Sequence, residues 1–401
     1  MRRIYLDHNA TTPTTPEVFE AMRPYLTEQF GNASSIHAYG QIAKAAVEEA
    51  RECVARLLNA QPGEIIFTSG GTESNNTAIF GAVEAAREGR AGRPAHVITT
   101  AIEHHAVLYV AKALEAQGVS VTYVPAGADG VVDPGAVERA ITPDTVLISI
   151  MHANNEIGTL QPIGEIGCIA RERGIAFHSD AVQSVGKIPV DVRAMKLDLA
   201  SLSAHKLHGP KGVGALYARK GTTLRPLMYG GHHERDRRPG TENVPGIVGL
   251  GKAAELAAGQ MKEEAVRLAV LRNRLEEEIL RRVPRVRVNG AHAPRLPNTA
   301  SLSFEHVDGE GLVIACDLRG LACSTGAACS SGSLEPSHVL AAIGLSREQA
   351  RSTVRFSLGR TTIAEDVDAA VGVIVEVVER LRSLSPYEPN EPARLQTSAT
   401  W

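Results

Sequence analysis

Residues 199–212 read LASLSAHKLHGPKG, and this stretch decides the fold that we expect. An apolar run typical of a buried strand ends at Ser203, and Lys206 follows just before a turn rich in glycine and proline. The lysine is therefore predicted at the end of a strand and not on the face of a helix. In α/β sheets, ligands bind beyond the carboxyl ends of the strands.

The position of Lys206 points to a chemical role. Beside polar neighbours its amine can lose a proton more easily than that of a free lysine, and a neutral amine attacks aldehydes. The aldehyde cofactor that this chemistry indicates is pyridoxal phosphate. The alternative is a solvated surface lysine, because lysine side chains are almost never fully buried without a partner. Other parts of a pyridoxal site must therefore be sought elsewhere in the chain.

Outward from this stretch, short apolar runs alternate with helical patterns. Strands are predicted at 64–68, 96–99, 119–124, 146–150, 175–179, 199–202 and 214–217. Helices are predicted at 41–58, 73–86, 106–117 and 163–173. This alternation predicts an α/β fold in which helices cover a mostly parallel, seven-stranded sheet.

A long predicted helix at 248–283 leads into a different pattern. Strands at 286–288, 299–304 and 354–357 and helices at 311–318, 337–343 and 365–382 indicate a smaller α+β domain. The predicted parts are an N-terminal segment packing with the small domain (1–15), a large domain (16–260), the small domain (261–384) and a flexible, proline-rich tail (385–401).

The composition favours a soluble, cytoplasmic protein. The 401 residues include 42 basic and 45 acidic ones, a net charge of −3, which gives no sign of binding to nucleic acid or anionic membranes. No apolar run suggests a signal peptide or a membrane span. The five cysteines are an odd number without paired metal-ligand spacing, which predicts a reducing compartment and at least one free thiol.

A phosphate site is predicted where the strand at 64–68 ends. It runs into Ser69, Gly71 and Thr72, where small residues, hydroxyl groups and the start of a helix can hold a phosphate. Most turns of this kind hold no ligand, so the motif is weak alone. Thr241, at the end of a charged loop, would suit a second phosphate contact, in its own or in a neighbouring subunit.

The next strand leads to His104. Its imidazole could lie against a cofactor ring and donate a proton, whereas an isolated histidine pair is more often structural. We expect the flanking Glu103 and His105 to face outward as its partners.

Amide and carboxylate side chains follow two further strands. Asn155, in SIMHANNEIG (149–158), could hydrogen-bond a ring hydroxyl. Asp180, in FHSDAVQS (177–184), could lie at a ring nitrogen, because a protonated pyridinium makes the ring an electron sink. An aspartate that caps the next helix explains Asp180 about equally well from this segment alone.

The candidate nucleophile lies near the C-terminal end. Cys329 belongs to CSTGAACSSGSLEP (323–336), whose small residues predict a mobile, exposed loop suited to a reactive thiol. Cys323 precedes the loop on a strand-like run and is predicted to be buried. Arg355 could bind a carboxylate through both guanidinium nitrogens, or form an ordinary salt bridge.

These motifs resemble the class V, fold type I pyridoxal-phosphate family, and specifically the cysteine desulfurases of the NifS/IscS group. The segments that carry the resemblance are YLDHNATTP, FTSGGTESNN, EHHAVL, MHANNEIG, HSDAVQSVGK, SAHKLHGPKG, RRPGTEN, STGAACSSGSLEPSHVL and VRFSLGR. The long cysteine loop is similar to that of the NifS/IscS group and not to that of the SufS group. Ala327 and His232 depart from the usual serine and glycine, at positions without a catalytic role.

The resemblance implies a role for each site residue. Lys206 would be the Schiff-base lysine, His104 the stacking acid or base, and Cys329 the persulfide cysteine. The implied ring contacts are Asp180 at the nitrogen and Asn155 and Gln183 at the hydroxyl. The implied phosphate contacts are Gly71, Thr72, Ser203, His205 and, from the partner subunit of a homodimer, Thr241. The implied substrate-carboxylate contacts are Asn32, Asn155 and Arg355.

The implied reaction converts L-cysteine to L-alanine, with the sulfur held on Cys329 as a persulfide. An acceptor such as an iron–sulfur scaffold protein would take it for cluster assembly or tRNA thiolation. No metal is implied in the pyridoxal site, although Cys329 could contact a cluster on a partner. The alternative is selenocysteine lyase or another pyridoxal β-elimination enzyme, which needs no persulfide. An inactive binding protein would lack at least one site residue, and none is missing.

Overall fold

The structure, a computed structural model, describes residues 3–90, 93–326 and 336–384. Its strands are β1 (Ile4–Tyr5), β2 (Ile65–Thr68), β3 (His96–Thr100), β4 (Ser120–Val124), β5 (Thr145–Ser149), β6 (Ala176–Asp180), β7 (Leu199–Ser203), β8 (Gly214–Ala218), β9 (Val286–Val288), β10 (Thr299–Phe304), β11 (Leu321–Ala322) and β12 (Thr353–Ser357). Its helices are α1 (Pro16–Met22), α2 (Pro24–Thr27), α3 (Ala38–Leu58), α4 (Gly71–Gly89), α5 (His105–Ala116), α6 (Pro134–Arg139), α7 (Ile163–Glu172), α8 (Val244–Arg282), α9 (Gly309–Leu318), α10 (His338–Ala342), α11 (Arg347–Arg351) and α12 (Ala364–Leu384). Within these ranges, no helix combines the length and the apolarity needed to cross a bilayer.

The central sheet has seven strands in the order β2-β8-β7-β6-β5-β3-β4. Strand β8 is antiparallel to β2 and β7, and the other neighbouring pairs are parallel. Residues of β2, β3, β7 and β8 are buried throughout, because helices cover both faces of the sheet. The predicted α/β fold with a mostly parallel sheet is confirmed, and the end of each predicted strand shifts by no more than one residue.

One edge of the sheet collects the polar strand ends. Because β8 alone runs in the opposite direction, the other strands all end at the same edge. Helix α4 starts at Gly71, shortly after β2, and α5 starts at His105, shortly after β3. The sequence motifs that follow these strands are therefore brought close to one another.

A second sheet lies in the C-terminal part of the chain. Strands β12, β10 and β9 are antiparallel and pack with α8, α9 and α12 around a separate apolar core. The N-terminal segment joins this part, since β1 pairs with β11 and Asp7 forms a bridge to Ser357.

Helix α8 connects the two cores. Apolar residues from Val244 to Ala257 join the core of the large sheet, and those from Leu268 to Ile279 join the second core. The proposed boundary between 260 and 261 falls inside this continuous helix, and the division into domains stays a prediction.

Candidate active site

A cavity of about 250 Å³ lies where the polar strand ends meet. It is lined by nine of the ten residues predicted to hold the cofactor: Gly71, Thr72, His104, Asn155, Asp180, Gln183, Ser203, His205 and Lys206. Its other lining residues are Ala10, Asn75, Met151 and Val182. The motifs scattered along the sequence thus form one pocket.

Lys206 lies just past the end of β7, as predicted. The strand ends at Ser203, and one tight turn, Ala204–Lys206, follows it. The Nζ atom donates hydrogen bonds to the backbone carbonyl oxygens of Asn9 and Ala10, at 2.5 and 2.8 Å. The N-terminal segment therefore sets the position of the amine at the pocket wall.

Asp180 is the last residue of β6, and its side chain is held at both oxygens. Oδ2 accepts a hydrogen bond from Nδ2 of Asn75 at 2.7 Å, and Oδ1 accepts one from the backbone N–H of Val182 at 3.0 Å. The second contact is the local turn expected of a capping aspartate. The first contact comes from helix α4 and fixes the carboxylate in the pocket. Between Asp180 and the start of β7, where every residue is described, no helix begins, so the alternative of a helix-capping aspartate was wrong.

His104 caps helix α5 and faces the pocket. Its Nδ1 accepts a hydrogen bond from the backbone N–H of Ala106 at 3.1 Å, which leaves the proton of the neutral ring on Nε2. Burial lowers the pKa of His104, the negative charge of Asp180 opposes this effect, and the positive charge of Lys206 adds to it. The ring is thus a neutral proton donor close to the pocket.

Glu103 does not face outward, and that expectation was wrong. Its side chain is fully buried, and Oε1 accepts hydrogen bonds from Oγ1 of Thr100 at 2.7 Å and from the backbone N–H of Met151 at 2.9 Å. Successive side chains of an extended segment point to opposite sides, so His104 in the pocket directs Glu103 into the protein. Burial raises the pKa of Glu103 to about 8. His105 is half-buried and stacks on Tyr109, with ring centroids 5.1 Å apart.

The N-terminus of α4 forms a further wall of the pocket. The first N–H groups of an α-helix have no partner within the helix, and those of α4 begin at Gly71. A Cβ atom at Gly71 would lie 2.6 Å from Cγ2 of Val182, which leaves room only for glycine. Thr72 and Ser203 line the same wall, so N–H and O–H donors surround a space suited to an anion.

Gln183 and His205 line the pocket through contacts with the N-terminal segment. Nε2 of Gln183 donates to the carbonyl oxygen of Asn9 at 3.0 Å. Nδ1 of His205 lies 3.1 Å from Oγ1 of Thr11. Burial, with a contribution from the charge of Lys206, lowers the pKa of His205 to about 4, so this ring is neutral near pH 7.

Asn155 lies in a turn that the side chain of Asn154 stabilises. Oδ1 of Asn154 accepts hydrogen bonds from the backbone N–H groups of Glu156 and Ile157, at 2.9 and 3.0 Å. The carbonyl oxygen of Asn155 accepts a hydrogen bond from Arg355 at 2.8 Å. The turn thus connects the cofactor pocket with the arginine predicted to bind the substrate.

Arg355, Asn32 and Thr241 do not line the pocket of this chain. Arg355 is buried and forms a salt bridge with Asp7, at 2.7 Å between its guanidinium and Oδ1, as in the second of its two predicted roles. The side chain of Asn32 is exposed and accepts a hydrogen bond from the backbone N–H of Ser34. Thr241 is exposed, and its predicted contact belongs to a partner subunit.

The two cysteines singled out in the sequence differ in what the structure describes. Cys329 lies outside the described residues. Cys323 is 8 % exposed, as predicted, and a hydrogen bond with Cys316 together with burial raises the pKa of its thiol. Cys323 is therefore no thiolate near pH 7.

Sequence reasoning missed Asn9, Asn75 and Lys187. Asn9 contacts Lys206 and Gln183, Asn75 contacts Asp180, and Lys187 contacts Gln183. Asn9 and Lys187 belong to the segments YLDHNATTP and HSDAVQSVGK, which carried the family resemblance, but neither follows a strand end directly. The only sequence signal for them was that resemblance.

The donor set of the pocket fits pyridoxal phosphate. An amine on one wall suits the aldehyde, a buried carboxylate suits a protonated ring nitrogen, and a helix N-terminus with a glycine cradle suits the phosphate. Within the described residues, no group of three or more His, Cys, Asp or Glu side chains is arranged to hold a metal ion.

Comparison with known proteins gives consistent results. The family model described as aminotransferase class V matches residues 4–370. A protein of Dictyoglomus turgidum named cysteine desulfurase IscS is 52% identical over 388 residues, which are 96% of this chain and 97% of that protein.

Solved structures agree with the sequence comparison. One named NifS-like protein superposes with a TM-score of 0.88 at 39% identity and covers 94% of this chain and 100% of its own. Another, named SspA in complex with cysteine, has a TM-score of 0.78 at 40% identity and covers 90% of this chain and 100% of its own. From its sequence, its fold and the composition of its pocket, this chain belongs to the class V aminotransferase family, and within it to the cysteine desulfurases of the NifS/IscS group.

Proposed function

We propose that this protein is a pyridoxal-phosphate-dependent cysteine desulfurase, which converts L-cysteine to L-alanine and retains the sulfur on Cys329 as a persulfide. The observation that carries the proposal is the convergence of Lys206, Asp180 and His104 on one pocket beside a helix N-terminus. The names of the related proteins support the reaction, and the cysteine bound in the SspA structure supports the substrate.

Three walls of the pocket would hold the cofactor. Lys206 is placed for the aldehyde, Asp180 for the ring nitrogen and the first turn of α4 for the phosphate. When bound, pyridoxal phosphate would supply an aldehyde that condenses with amines and a pyridinium ring that accepts the electron pair of a bond broken at the substrate Cα. Because Asn75 and the backbone N–H of Val182 hold both oxygens of Asp180, its carboxylate is fixed in the pocket and would favour a protonated ring nitrogen.

Lys206 and His104 would move the protons. The Nζ of Lys206, when free and neutral, would take the proton from the substrate Cα. The carbonyl oxygens of Asn9 and Ala10 accept hydrogen bonds from the amine and stabilise it once it is protonated. His104 carries its proton on Nε2 and delivers it where the product needs one.

Cys329 would perform the sulfur transfer. Its thiolate forms a bond to the substrate sulfur, the substrate C–S bond breaks, and the electron pair stays with carbon, which is then protonated to give alanine. The described residues on both sides of the cysteine segment lie near Glu156, the neighbour of Asn155. Ser337 donates to Oε2 of Glu156 at 2.5 Å, and a Cβ atom at Gly326 would lie 3.3 Å from the same oxygen. Both ends of the segment thus start close to the pocket.

The substrate carboxylate would bind at Arg355, Asn155 and Asn32. Since Arg355 is already paired with Asp7, the substrate must share or replace this contact. We place Thr241 at the phosphate of the partner subunit in a homodimer.

The sulfur acceptor would be an iron–sulfur scaffold protein or an enzyme of tRNA thiolation, in the cytoplasm. The name IscS of the related protein supports the first of these. Contact of Cys329 with a cluster on that partner belongs to the same proposal.

The experiment that tests this function measures alanine and sulfide release from L-cysteine, with a reductant present, in protein that shows the absorbance of bound pyridoxal phosphate. Cys329→Ala should keep the absorbance and lose both products, and Cys168→Ala, at a partly buried thiol outside the pocket, should stay active. A Cys329→Ala variant as active as the wild type would contradict the persulfide mechanism and favour a simple β-elimination lyase or a selenocysteine lyase.

A further inference from the structure

Asn9 links the catalytic lysine to a second, partly buried lysine, Lys187. Its backbone carbonyl oxygen accepts hydrogen bonds from Nζ of Lys206 at 2.5 Å and from Nε2 of Gln183 at 3.0 Å. Its side-chain oxygen Oδ1 accepts a hydrogen bond from Nζ of Lys187 at 3.2 Å. Lys187 also donates to Oε1 of Gln183, at 2.7 Å. Asn9, Gln183 and Lys187 thus form a closed triangle of contacts behind the pocket.

Among the described residues, no acidic side chain pairs with the partly buried Lys187. Among the described residues, the hydrogen-bond partners of its side chain are the two amide oxygens alone, and no acidic residue forms an ion pair with it. The charged and titratable groups that surround it are His8, His205, Lys206, His208, Glu264, Arg355 and Arg360. Glu264 pairs with Arg267, at 2.9 Å.

Burial, the charge of Lys206 and the charge of Arg355 lower the pKa of Lys187. Partial burial of an amine without a carboxylate partner costs free energy, which its hydrogen bonds to Asn9 and Gln183 offset. Of these two residues, Gln183 lines the pocket.

The contacts of Lys187 determine which way the amide of Gln183 points. An amine that donates to Oε1 occupies this oxygen, and the NH₂ group then donates to the Asn9 carbonyl oxygen with one N–H and keeps a second N–H for a ligand in the pocket that Gln183 lines. The reversed amide would place an oxygen against the Asn9 carbonyl oxygen and lose that hydrogen bond, and it would set N–H groups against the amine, which in its charged form has no acceptor. Gln183 therefore offers an N–H donor, and not an oxygen acceptor, to a ligand in the pocket.

We propose that Lys187 is a positioning residue, which fixes Gln183 so that its N–H donates to the ring hydroxyl oxygen of bound pyridoxal phosphate and favours the ionised form of that hydroxyl. The inference rests on the proposed cofactor. It assigns to Lys187 an effect on the ionisation of the cofactor that acts through Gln183.

The test uses the holoenzyme and its absorbance as a function of pH, followed at the bands of the neutral and the ionised ring hydroxyl. Lys187→Met keeps the length of the side chain and removes the donor. We expect the midpoint between the two bands to move to higher pH by about one unit, a tenfold change in the ionisation constant. Lys187→Gln retains a shorter donor and should give a smaller shift in the same direction. Lys262→Met, at an exposed position of α8, should leave the midpoint unchanged.

A double variant separates positioning from a direct effect of the amine. In a Gln183→Leu background there is no amide to orient, so Lys187→Met should add no further shift. If Lys187→Met shifts the midpoint equally in both backgrounds, or leaves it at the wild-type value while the cofactor is bound, the inference is wrong. If the wild type binds no pyridoxal phosphate, the proposed function fails, and the inference falls with it.

Discussion

Exchange of Gly71 for alanine tests the proposed phosphate wall most directly. A Cβ atom there would lie 2.6 Å from Cγ2 of Val182 and 3.6 Å from Cβ of Ser203. The first distance is too short for two carbon atoms, so the start of α4 must move away from Val182. Overpacking of this kind costs about 1–3 kcal/mol, and the better helix propensity of alanine returns less than ~1 kcal/mol. We therefore expect Gly71→Ala to lower the free energy of unfolding by about 1–2 kcal/mol.

The same displacement should weaken cofactor binding. Losing one hydrogen bond to a charged phosphate costs about 1.5–3 kcal/mol, which corresponds to roughly tenfold to hundredfold weaker binding. Gly89→Ala is a matched control in the same helix, because nothing lies within 4 Å of its Cβ position. It should stabilise the protein by up to ~1 kcal/mol and leave binding unchanged.

The assays are urea denaturation of the cofactor-free protein and titration with pyridoxal phosphate. If Gly71→Ala is as stable as the wild type and binds the cofactor as tightly, the start of α4 is not the phosphate site. If Gly71→Ala is less stable but binds pyridoxal phosphate as tightly as the wild type, the packing of Gly71 against Val182 is supported, and the phosphate site at the start of α4 is refuted.

Two further predictions concern stability. Arg51 and Glu234 form a bidentate salt bridge, at 2.8 and 2.9 Å, between side chains only 5% and 4% exposed. Glu234→Gln removes the buried counter-charge of Arg51 and leaves only the half-exposed Glu48, at 3.2 Å, so it should cost about 3 kcal/mol in urea denaturation. Glu88 forms an exposed pair with Arg225, so Glu88→Gln should cost less than ~1 kcal/mol. If the two substitutions lower the unfolding free energy equally, the buried pair is not the stronger one. Burial lowers the pKa of His152 from 6.5 to about 4. Between these two pH values the unfolded chain binds a proton that the folded chain does not, so the unfolding free energy should fall as the pH drops from 6.5 toward 4. His152→Gln should reduce this slope, whereas His292→Gln at the surface serves as control, and an unchanged slope in His152→Gln would contradict the assignment.

The sequence predicted those parts of the site that depend on local structure. Strands buried on both faces are continuous apolar runs, so their ends can be read directly, and side chains that follow parallel strands must meet at one edge. Asp180, His104 and Lys206 were found in this way. The glycine at position 71 was expected for a close approach, and the structure adds the side chain that requires it, Val182.

The remaining contacts join segments far apart in the sequence. Asn9 contacts four residues that lie far from it in the sequence: Gln183, Lys206, Thr299 and Ser357. Local sequence patterns do not predict such contacts. The pairing of β1 with β11 was not predicted for the same reason, since two residues are too few to show a period. Glu103 was predicted to face outward because it is next to His104, but its place in the sequence says nothing about its exposure. The many charges of the loop that precedes Thr241 gave no sign that the side chain of Glu234 within it is buried.

The position of Asn9 has a consequence for the order in which the protein folds during its synthesis. Asn9 is synthesised before Lys206, Thr299 and Ser357, and its hydrogen bonds to them can form only after these residues have followed. The large sheet can assemble earlier, since its last strand ends at Ala218. We expect nascent chains halted before Thr299 to contain this sheet, with Asn9 still lacking its contacts to Thr299 and Ser357. The capture of the cofactor should then be one of the last events in the maturation of the chain.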